Sequence, residues 1–304
     1  MIRFLAHSEI DKAKWDACIL KASNSFVYGY SWYLDIVSPQ WQALVLDDYE
    51  AVMPLTWLKK WFVSYLSQPL FTQQLGVFSP DVKPLLVEEF LKILPHHFRY
   101  IDLYLNEKNN SRFPAESTVN TRKTQYLDLT KEYTDLFKKY HPKLRKNIRK
   151  ASDAGLSMDT NISPSIVTDM FMNIQGEKLA LKNKETKTRL EILLETLLQK
   201  GFADIRGVRT ANGELCATIF FISSSDRVIY FKGASTELGK ENSATHFLLD
   251  NCIKNSCGKH TIFDFGGSMI PGVENFFKTF GAEDLFYYHY IVNNLPWPLN
   301  WFKN

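Results

Sequence analysis

The two halves of this chain of 304 residues repeat one order of predicted elements: strand, turn, strand, strand, helix, strand. Apolar alternation and turn residues predict strands at 51–57, 64–66, 75–78 and 100–105 with a helix at 85–94, and then strands at 204–209, 215–222, 227–232 and 261–265 with a helix at 245–255. The period of about 160 residues is too long for a solenoid and fits a duplicated domain. Further helices, over 10–20 and 166–178, precede the two turns. The order therefore predicts an α/β (α+β) protein with helices flanking a mixed sheet in each half.

A polar segment at 106–122 separates the halves and predicts two domains, 1–125 and 126–304. The length and an apolar content of 45% are sufficient for two cores. The net charge is only +3, which excludes a protein that coats polyanions with its whole surface. Any function that depends on basic residues must therefore be local.

The cysteines and the apolar runs predict a cytoplasmic protein. The four cysteines have no zinc-type spacing and lie mostly in apolar patterns, so we expect reduced thiols and no metal site. The first residues lack the apolar core of a secretory signal. The longest apolar run, around Ile219–Ile222, has the length of a strand, so no transmembrane segment is predicted.

The segment from His260 to Glu283 combines a carboxylate, glycines and a lysine around a strand end. Asp264 lies where the predicted strand gives way to Gly266 and Gly267, and Lys278 follows on a short aromatic helix that includes Phe277. Strand ends that open into glycine-rich turns are places where α/β folds bind ligands. Asp264 is predicted to be a catalytic base or an orienter of the acceptor; equally, it could cap the glycine N–H groups. Lys278 is predicted to neutralise an oxyanion or a phosphate; the alternative is a solvated lysine.

A basic helix is predicted at 141–152. Between Lys138 and Lys150 there are seven Lys or Arg residues and no Asp or Glu. Arg145 with Arg149, and Lys146 with Lys150, form two cationic rows beside the apolar stripe of the helix. We predict that Arg145 and Arg149 bind phosphate groups of a substrate. The alternative is a merely solvated helix between two domains.

Two of these motifs together resemble the FemABX-like transferases. The motifs are Asp-Phe-Gly-Gly-Ser followed by Phe-Lys-x-Phe-Gly-Ala at 264–282, and the basic helix at 143–152. The resemblance is best over 130–285. That family consists of tandem GNAT proteins that attach acyl or aminoacyl groups to amines. The resemblance implies two tandem GNAT-like domains (the acyl-CoA N-acyltransferase fold), each with a mixed, mainly antiparallel sheet. The donor would lie between the splayed strands 227–232 and 261–265, and the first domain would shape the acceptor site.

The segment at 233–246 occupies the place of the phosphate-binding loop in ordinary GNAT enzymes. It lacks the Gly-x-Gly/Ala spacing, and it carries Glu237 and Glu241 where a phosphate would lie. The sequence therefore disfavours a standard CoA loop and leaves two donors open, an acyl-CoA and an aminoacyl-tRNA. We predict that Tyr230 and Lys232, on one strand face, and Gly233 contribute to substrate binding. Glu177 and Lys178 are weaker candidates.

The sequence thus predicts an acyltransferase that passes its group directly to an amine in a ternary complex, without a tightly bound cofactor. Asp264 and Lys278 are the predicted catalytic residues. Arg145, Arg149, Tyr230, Lys232, Gly233, Gly266, Gly267 and Phe277 are the predicted substrate-binding residues. The expected acceptor is a small-molecule or cell-wall-precursor-like amine, and tRNA is a possible partner. The alternative function is a non-catalytic RNA- or nucleotide-binding protein on a degenerate transferase scaffold.

Overall fold

The computed structural model describes residues 1–60, 62–176, 179, 181, 183–224, 226–267 and 269–297. The chain forms two compact units. The first consists of Met1–Arg122 and the chain from Phe286 onward; the second is Lys123–Leu285. The predicted boundary at 125 lies close to the observed one. The return of the chain to the first unit was not predicted, because the strand that carries it has no counterpart in the sequence repeat.

The helices and strands follow one another along the chain in this order. In the first half the structure has β1 (Ile2–Leu5), α1 (Lys12–Lys21), α2 (Ser31–Val37), β2 (Gln42–Leu46), β3 (Ala51–Leu55), β4 (Trp57–Lys60), β5 (Val63–Ser67), α3 (Pro84–His97), β6 (Tyr100–Tyr104) and β7 (Thr118–Asp128). In the second half it has α4 (Tyr133–Lys139), α5 (Pro142–Asp153), β8 (Ser157–Asp159), α6 (Pro164–Gln175), α7 (Lys184–Gln199), β9 (Ala203–Arg209), β10 (Leu215–Ser223), β11 (Arg227–Ser235), α8 (Glu237–Glu241), α9 (Ala244–Ser256), β12 (Ile262–Asp264), α10 (Pro271–Lys278) and β13 (Glu283–Asn293).

The first unit packs α3 on a mixed sheet. Strands β4 and β5 are antiparallel, β5 and β6 are parallel, and β13 pairs with β6 antiparallel; β1, β2 and β3 form a separate antiparallel sheet. Proline at the first position of α3 suits a helix start because its missing N–H would have no partner there. The helix buries Val87, Phe90 and Leu94 in one core with Ile101 and Leu103. The predicted strand at 75–78 is not a strand and forms only two isolated bridges.

The second unit is built on the strand order β8-β9-β10-β11-β12-β7. All neighbours are antiparallel except β11 and β12, which run parallel. Helices α5, α9 and α10 contribute to the core on one face of this sheet, while α6 packs on β11 and α7 packs on α6 and β9. The mixed, mainly antiparallel sheet flanked by helices confirms the predicted fold class. Helix α7 and strands β7 and β13 were not predicted.

None of the helices among the described residues has the length and apolar character that a bilayer crossing requires. The four cysteines are free thiols, three of them buried.

Candidate active site

The site begins where β11 and β12 diverge. The two strands pair from Arg227 with Ile262 to Ile229 with Asp264; β12 then ends, while β11 continues to Ser235. Gly266 and Gly267 turn the chain away with φ angles of +74° and +67°. A Cβ at Gly266 would lie 2.4 Å from the carbonyl oxygen of Tyr230, so only glycine fits this turn. Beyond Ile229, alternate backbone groups of β11 therefore point to an edge that no described strand covers.

A cavity of about 330 Å³ lies along this edge, and we call it the β11 cavity. Strand β11, helix α10 and the start of helix α9 supply most of its wall. The lining residues are Gln175, Ile219, Tyr230, Gly233, Ala234, Ser235, Gly239, Lys240, Ser243, Thr245, His246, Val273, Phe276 and Phe277. Three of the predicted binding residues, Tyr230, Gly233 and Phe277, are among them. The wall contributed by α8 and α9 was not predicted, because nothing in their local sequence pattern shows which side of each helix faces β11.

Aromatic packing fixes the apolar side of the β11 cavity. The Phe277 ring is stacked on Phe265 at 4.8 Å between centroids and lies 6.0 Å from the Tyr230 ring. Burial raises the pKa of Tyr230 to about 12, so its hydroxyl remains protonated at neutral pH and can donate a hydrogen bond. A Cβ at Gly233 would lie 2.6 Å from that hydroxyl oxygen, so glycine leaves the space that Tyr230 occupies.

A β-bulge in β11 lies between Tyr230 and Lys232, which were predicted to share one face of the strand. Across the strand pair, Phe221 is opposite Tyr230 and Phe220 is opposite Lys232, with a register shift between them. The extra residue places Tyr230 and Lys232 on opposite faces of β11. The ammonium of Lys232 therefore lies near the rings of Phe231 and Phe171, at 4.4 and 5.8 Å from their centroids. Burial lowers the pKa of Lys232 to about 8. The prediction that Tyr230 and Lys232 share a face is wrong.

Asp264 is fully buried and lies outside the β11 cavity. Its carboxylate accepts hydrogen bonds from the Thr124 hydroxyl at 2.6 Å and the Gly266 N–H at 2.9 Å, and it forms an ion pair with Arg227 at 3.0 Å. The structure therefore gives Asp264 no access to the β11 cavity, which a catalytic base or an orienter of the acceptor would need there. The other sequence interpretation, a carboxylate that caps a glycine N–H, agrees with the structure. Thr124 was missed because it lies 140 residues away in the sequence.

Lys278 belongs to a cluster of four charges in the second unit. Its ammonium lies 2.6 Å from Glu274 and 3.3 Å from Asp284, and Lys123 binds the same two carboxylates at 2.6 and 3.5 Å. Hydrogen bonds that Lys278 donates to Glu274 and to Asp284 raise the pKa of Lys278, so it stays charged. Lys278 does not line the β11 cavity, although its neighbour Phe277 does. The structure thus does not bring the two predicted catalytic residues together in this cavity.

The basic helix α5 packs against helix α9, and none of its residues lines the β11 cavity. Leu144, Ile148 and Ala151 are buried as expected. Lys143 and Lys150, with Asn147 between them, face α8 and α9. Lys150 donates to the carbonyl oxygen of Glu241 at 2.6 Å, and Asn147 lies 3.3 Å from the Nε2 atom of His246. Burial and then Lys143 lower the pKa of His246, which favours its neutral form.

Arg145 and Arg149 lie on the opposite flank of the apolar stripe from Lys143 and Lys150, and neither lines the β11 cavity. The spacing of Lys143, Asn147 and Lys150 at i, i+4, i+7 is a signal that could have identified the other row. Glu177 and Lys178 lie outside the described residues.

Helix α9 begins at the β11 cavity with its first turn uncapped by a side chain. Its N-cap residue is Ser243, with a φ of +60° and no side-chain hydrogen bond to the helix. Ser243, Thr245 and His246 all line the cavity. The N–H groups of a first helical turn have no partner within the helix, and they favour an anion. Glu237 and Glu241, on the short helix α8 beside it, oppose this preference.

A sheet whose neighbouring parallel strands diverge beside a cavity, present in a chain of two α/β units, defines the tandem GNAT fold. The fold is that of the FemABX-like tandem GNAT proteins, as the two sequence motifs predicted. No family model matches the chain, and no curated protein sequence matches it significantly.

Three solved structures illustrate this likeness. FemX is 13% identical over 97% of this chain and 98% of its own, with a TM-score of 0.68. L-PGS from Bacillus licheniformis is 14% identical over 95% and 94% of the two chains, with a TM-score of 0.54. A tandem GNAT protein from the clavulanic acid biosynthesis pathway is 10% identical over 97% and 99%, with a TM-score of 0.53. At these identities the similarity establishes the fold.

Proposed function

We propose that this protein is an N-acyltransferase that binds an acyl or aminoacyl donor in the β11 cavity and transfers the group directly to an amine. The observation that carries the proposal is the open edge of β11 beside a cavity of about 330 Å³. Unpaired backbone groups at a strand edge can hold an extended, amide-containing or ester-containing ligand in register. An open cavity at this place favours a transferase over the non-catalytic RNA-binding alternative, for which a filled cleft is expected.

The proposed reaction needs positioning, a donor to the oxyanion and a route for one proton. The amine nitrogen attacks the donor carbonyl carbon, a C–N bond forms, and the C–O or C–S bond to the carrier breaks. The amine proton leaves with the departing oxygen or sulfur, directly or through water. Backbone N–H groups at the β11 edge and the protonated hydroxyl of Tyr230 can donate to the developing oxyanion. Lys278 is proposed to supply a positive charge to the same reaction. The proposed acceptor is a small-molecule or cell-wall-precursor-like amine.

The proposed donor is an aminoacyl-tRNA, with an acyl-CoA as the competing candidate. Helix α8 and its glutamates occupy the segment where ordinary GNAT enzymes cradle a pyrophosphate, which disfavours CoA. We therefore expect free CoA to bind more weakly than low-micromolar in calorimetric titration, and charged tRNA to bind more tightly than uncharged tRNA. Gly233→Val should abolish binding of the true donor, because the added side chain displaces Tyr230.

Gly272→Ala is the matched control for Gly233→Val, since a Cβ at Gly272 meets no atom within 4 Å. If free CoA binds with low-micromolar affinity and Gly233→Val removes this binding, the donor is an acyl-CoA and the aminoacyl-tRNA proposal is wrong. Donor binding that survives Gly233→Val with the fold intact would remove the β11 cavity from the proposal.

The basic helix gives a second expectation, about phosphate contacts. Changing Lys143 and Lys150 together to Gln should raise the apparent KM for the donor and reduce its dependence on salt, because these lysines face the start of α9. The melting temperature should change little. Arg145→Gln with Arg149→Gln is the control of equal charge on the other flank of the helix. A larger effect from the arginine pair would favour the contact predicted from the sequence and would contradict the assignment to Lys143 and Lys150.

A further inference from the structure

A second cavity, of about 170 Å³, lies at the far end of α9 in the second unit. The β11 cavity touches the first turn of α9 at Thr245 and His246, whereas the second cavity is lined by Asn255 and Ser256 of its last turn. A helix of 13 residues is about 20 Å long. The two cavities are therefore separate sites. We call the second one the His260 cavity.

The His260 cavity gathers cationic and hydrogen-bonding side chains from three elements and the loop after α9. Arg206 of β9 is bound to Asp204 through its Nε atom at 2.7 Å, which leaves its two terminal nitrogens without a partner among the described residues. Lys259 is exposed and forms no ion pair with any described residue. Two positive side chains therefore face one carboxylate. The balance of charge in the cavity favours an anion.

His260 adds an unsatisfied polar atom to this cavity. Its Nε2 atom lies 3.4 Å from the Ser223 hydroxyl, and its Nδ1 atom is buried with no hydrogen-bond partner in the described part of the chain. An imidazole that accepts the Ser223 hydroxyl at Nε2 carries its proton at Nδ1. That N–H requires an acceptor, because buried polar groups are normally hydrogen-bonded.

The end of helix α9 opposes this preference in part, because the last carbonyl groups of a helix carry partial negative charge. The carbonyl oxygen of Ser256, which would repel an anion, already accepts the N–H groups of Lys259 and His260. The cavity, of about 170 Å³, has room for a small ion such as phosphate.

We propose that the His260 cavity binds a small oxyanion, a phosphate or a carboxylate group, through Arg206, Lys259 and the Nδ1–H of His260. This site is independent of acyl transfer and does not depend on the proposed donor. Arg206 presents a planar pair of N–H donors that matches two oxygens of either anion. Lys259 adds a mobile charge at the cavity mouth, and His260 supplies the fixed donor.

The test is calorimetric titration of the full chain with inorganic phosphate and, separately, with succinate at low chloride. We expect one of the two anions to bind, and Lys259→Gln and Arg206→Gln each to weaken it at least tenfold. Lys254→Gln is the matched control: it removes the same charge from α9, but Lys254 does not line the cavity. Addition of the anion should also shift the ring nitrogen resonances of His260 in NMR spectra. The anion that binds more tightly shows whether the site prefers a phosphate or a carboxylate group.

Three results would overturn the proposal. The first is no binding of either anion at millimolar concentration. The second is an equal loss of affinity in Lys254→Gln and Lys259→Gln, which would show that the anion responds to the overall positive charge of the surface and not to the cavity. The third is loss of anion binding in Gly233→Val, which would place the anion in the β11 cavity. Gly233→Val tests donor binding in the β11 cavity, and Lys259→Gln tests oxyanion binding in the His260 cavity. Failure of one proposal is therefore distinguishable from failure of the other.

Discussion

Replacing Asp264 with asparagine is expected to lower the free energy of unfolding by about 3–5 kcal/mol, the range observed when one partner of a buried ion pair is removed. Asp264 is fully buried and the side chain of Arg227 is 7% exposed. The asparagine keeps the shape but loses the charge, which removes the buried ion pair with the Arg227 guanidinium. Urea denaturation followed by far-UV circular dichroism measures the loss, and the slope of the transition should stay constant.

The control for Asp264→Asn is a double-mutant cycle with Arg227→Met. The two single changes should each destabilise the protein, and the double variant should lose less than their sum, because it removes both buried charges. An Asp264→Asn protein that keeps its stability but loses turnover would contradict the structural role. It would instead support the catalytic base that the sequence first suggested.

Lys278→Met is expected to reduce turnover on the order of 10²–10³-fold, the loss typical for removing one oxyanion-stabilising group. This expectation comes from the sequence motif, because Lys278 directly follows Phe277 of the cavity wall. Its own ammonium lies outside the β11 cavity and is held by Glu274 and Asp284. Single-turnover measurement with charged tRNA and an amine acceptor gives the effect on the chemical step. The melting temperature should change little, since the ion cluster is partly exposed and such pairs contribute little stability.

Lys123→Met is the matched control for Lys278→Met, because Lys123 binds the same two carboxylates, Glu274 and Asp284. It removes an equal charge from the same cluster, so a purely electrostatic or structural role for the cluster would make the two variants alike. Only a larger loss in Lys278→Met supports a catalytic lysine. Equal losses would reduce Lys278 to a structural member of the cluster.

Periodicity and turn residues were sufficient to predict the domain class. The apolar stripe of α5, its proline start and the strands of the second unit around Asn212-Gly213 are local patterns, and the structure has these elements within a few residues of the predicted bounds. Strand β7 was not predicted, because its charged residues, including Arg122 and Lys123, interrupt the alternation of apolar and polar residues. It also missed β13, a strand that has no counterpart in the repeat.

The sequence by itself determined the repeated α/β architecture, the divergence at Gly266 and three residues of the cavity wall, because each follows from contacts between near neighbours in the chain. Only the tertiary structure decided what the polar residues do. Asp264 meets Thr124 and Arg227 across the sheet, and a bulge of one residue turns Lys232 away from Tyr230. Packing of α5 places Lys150, and not Arg145 or Arg149, on the backbone of α8. A charged side chain takes its role from the partner it meets, and those partners lie far away in the sequence.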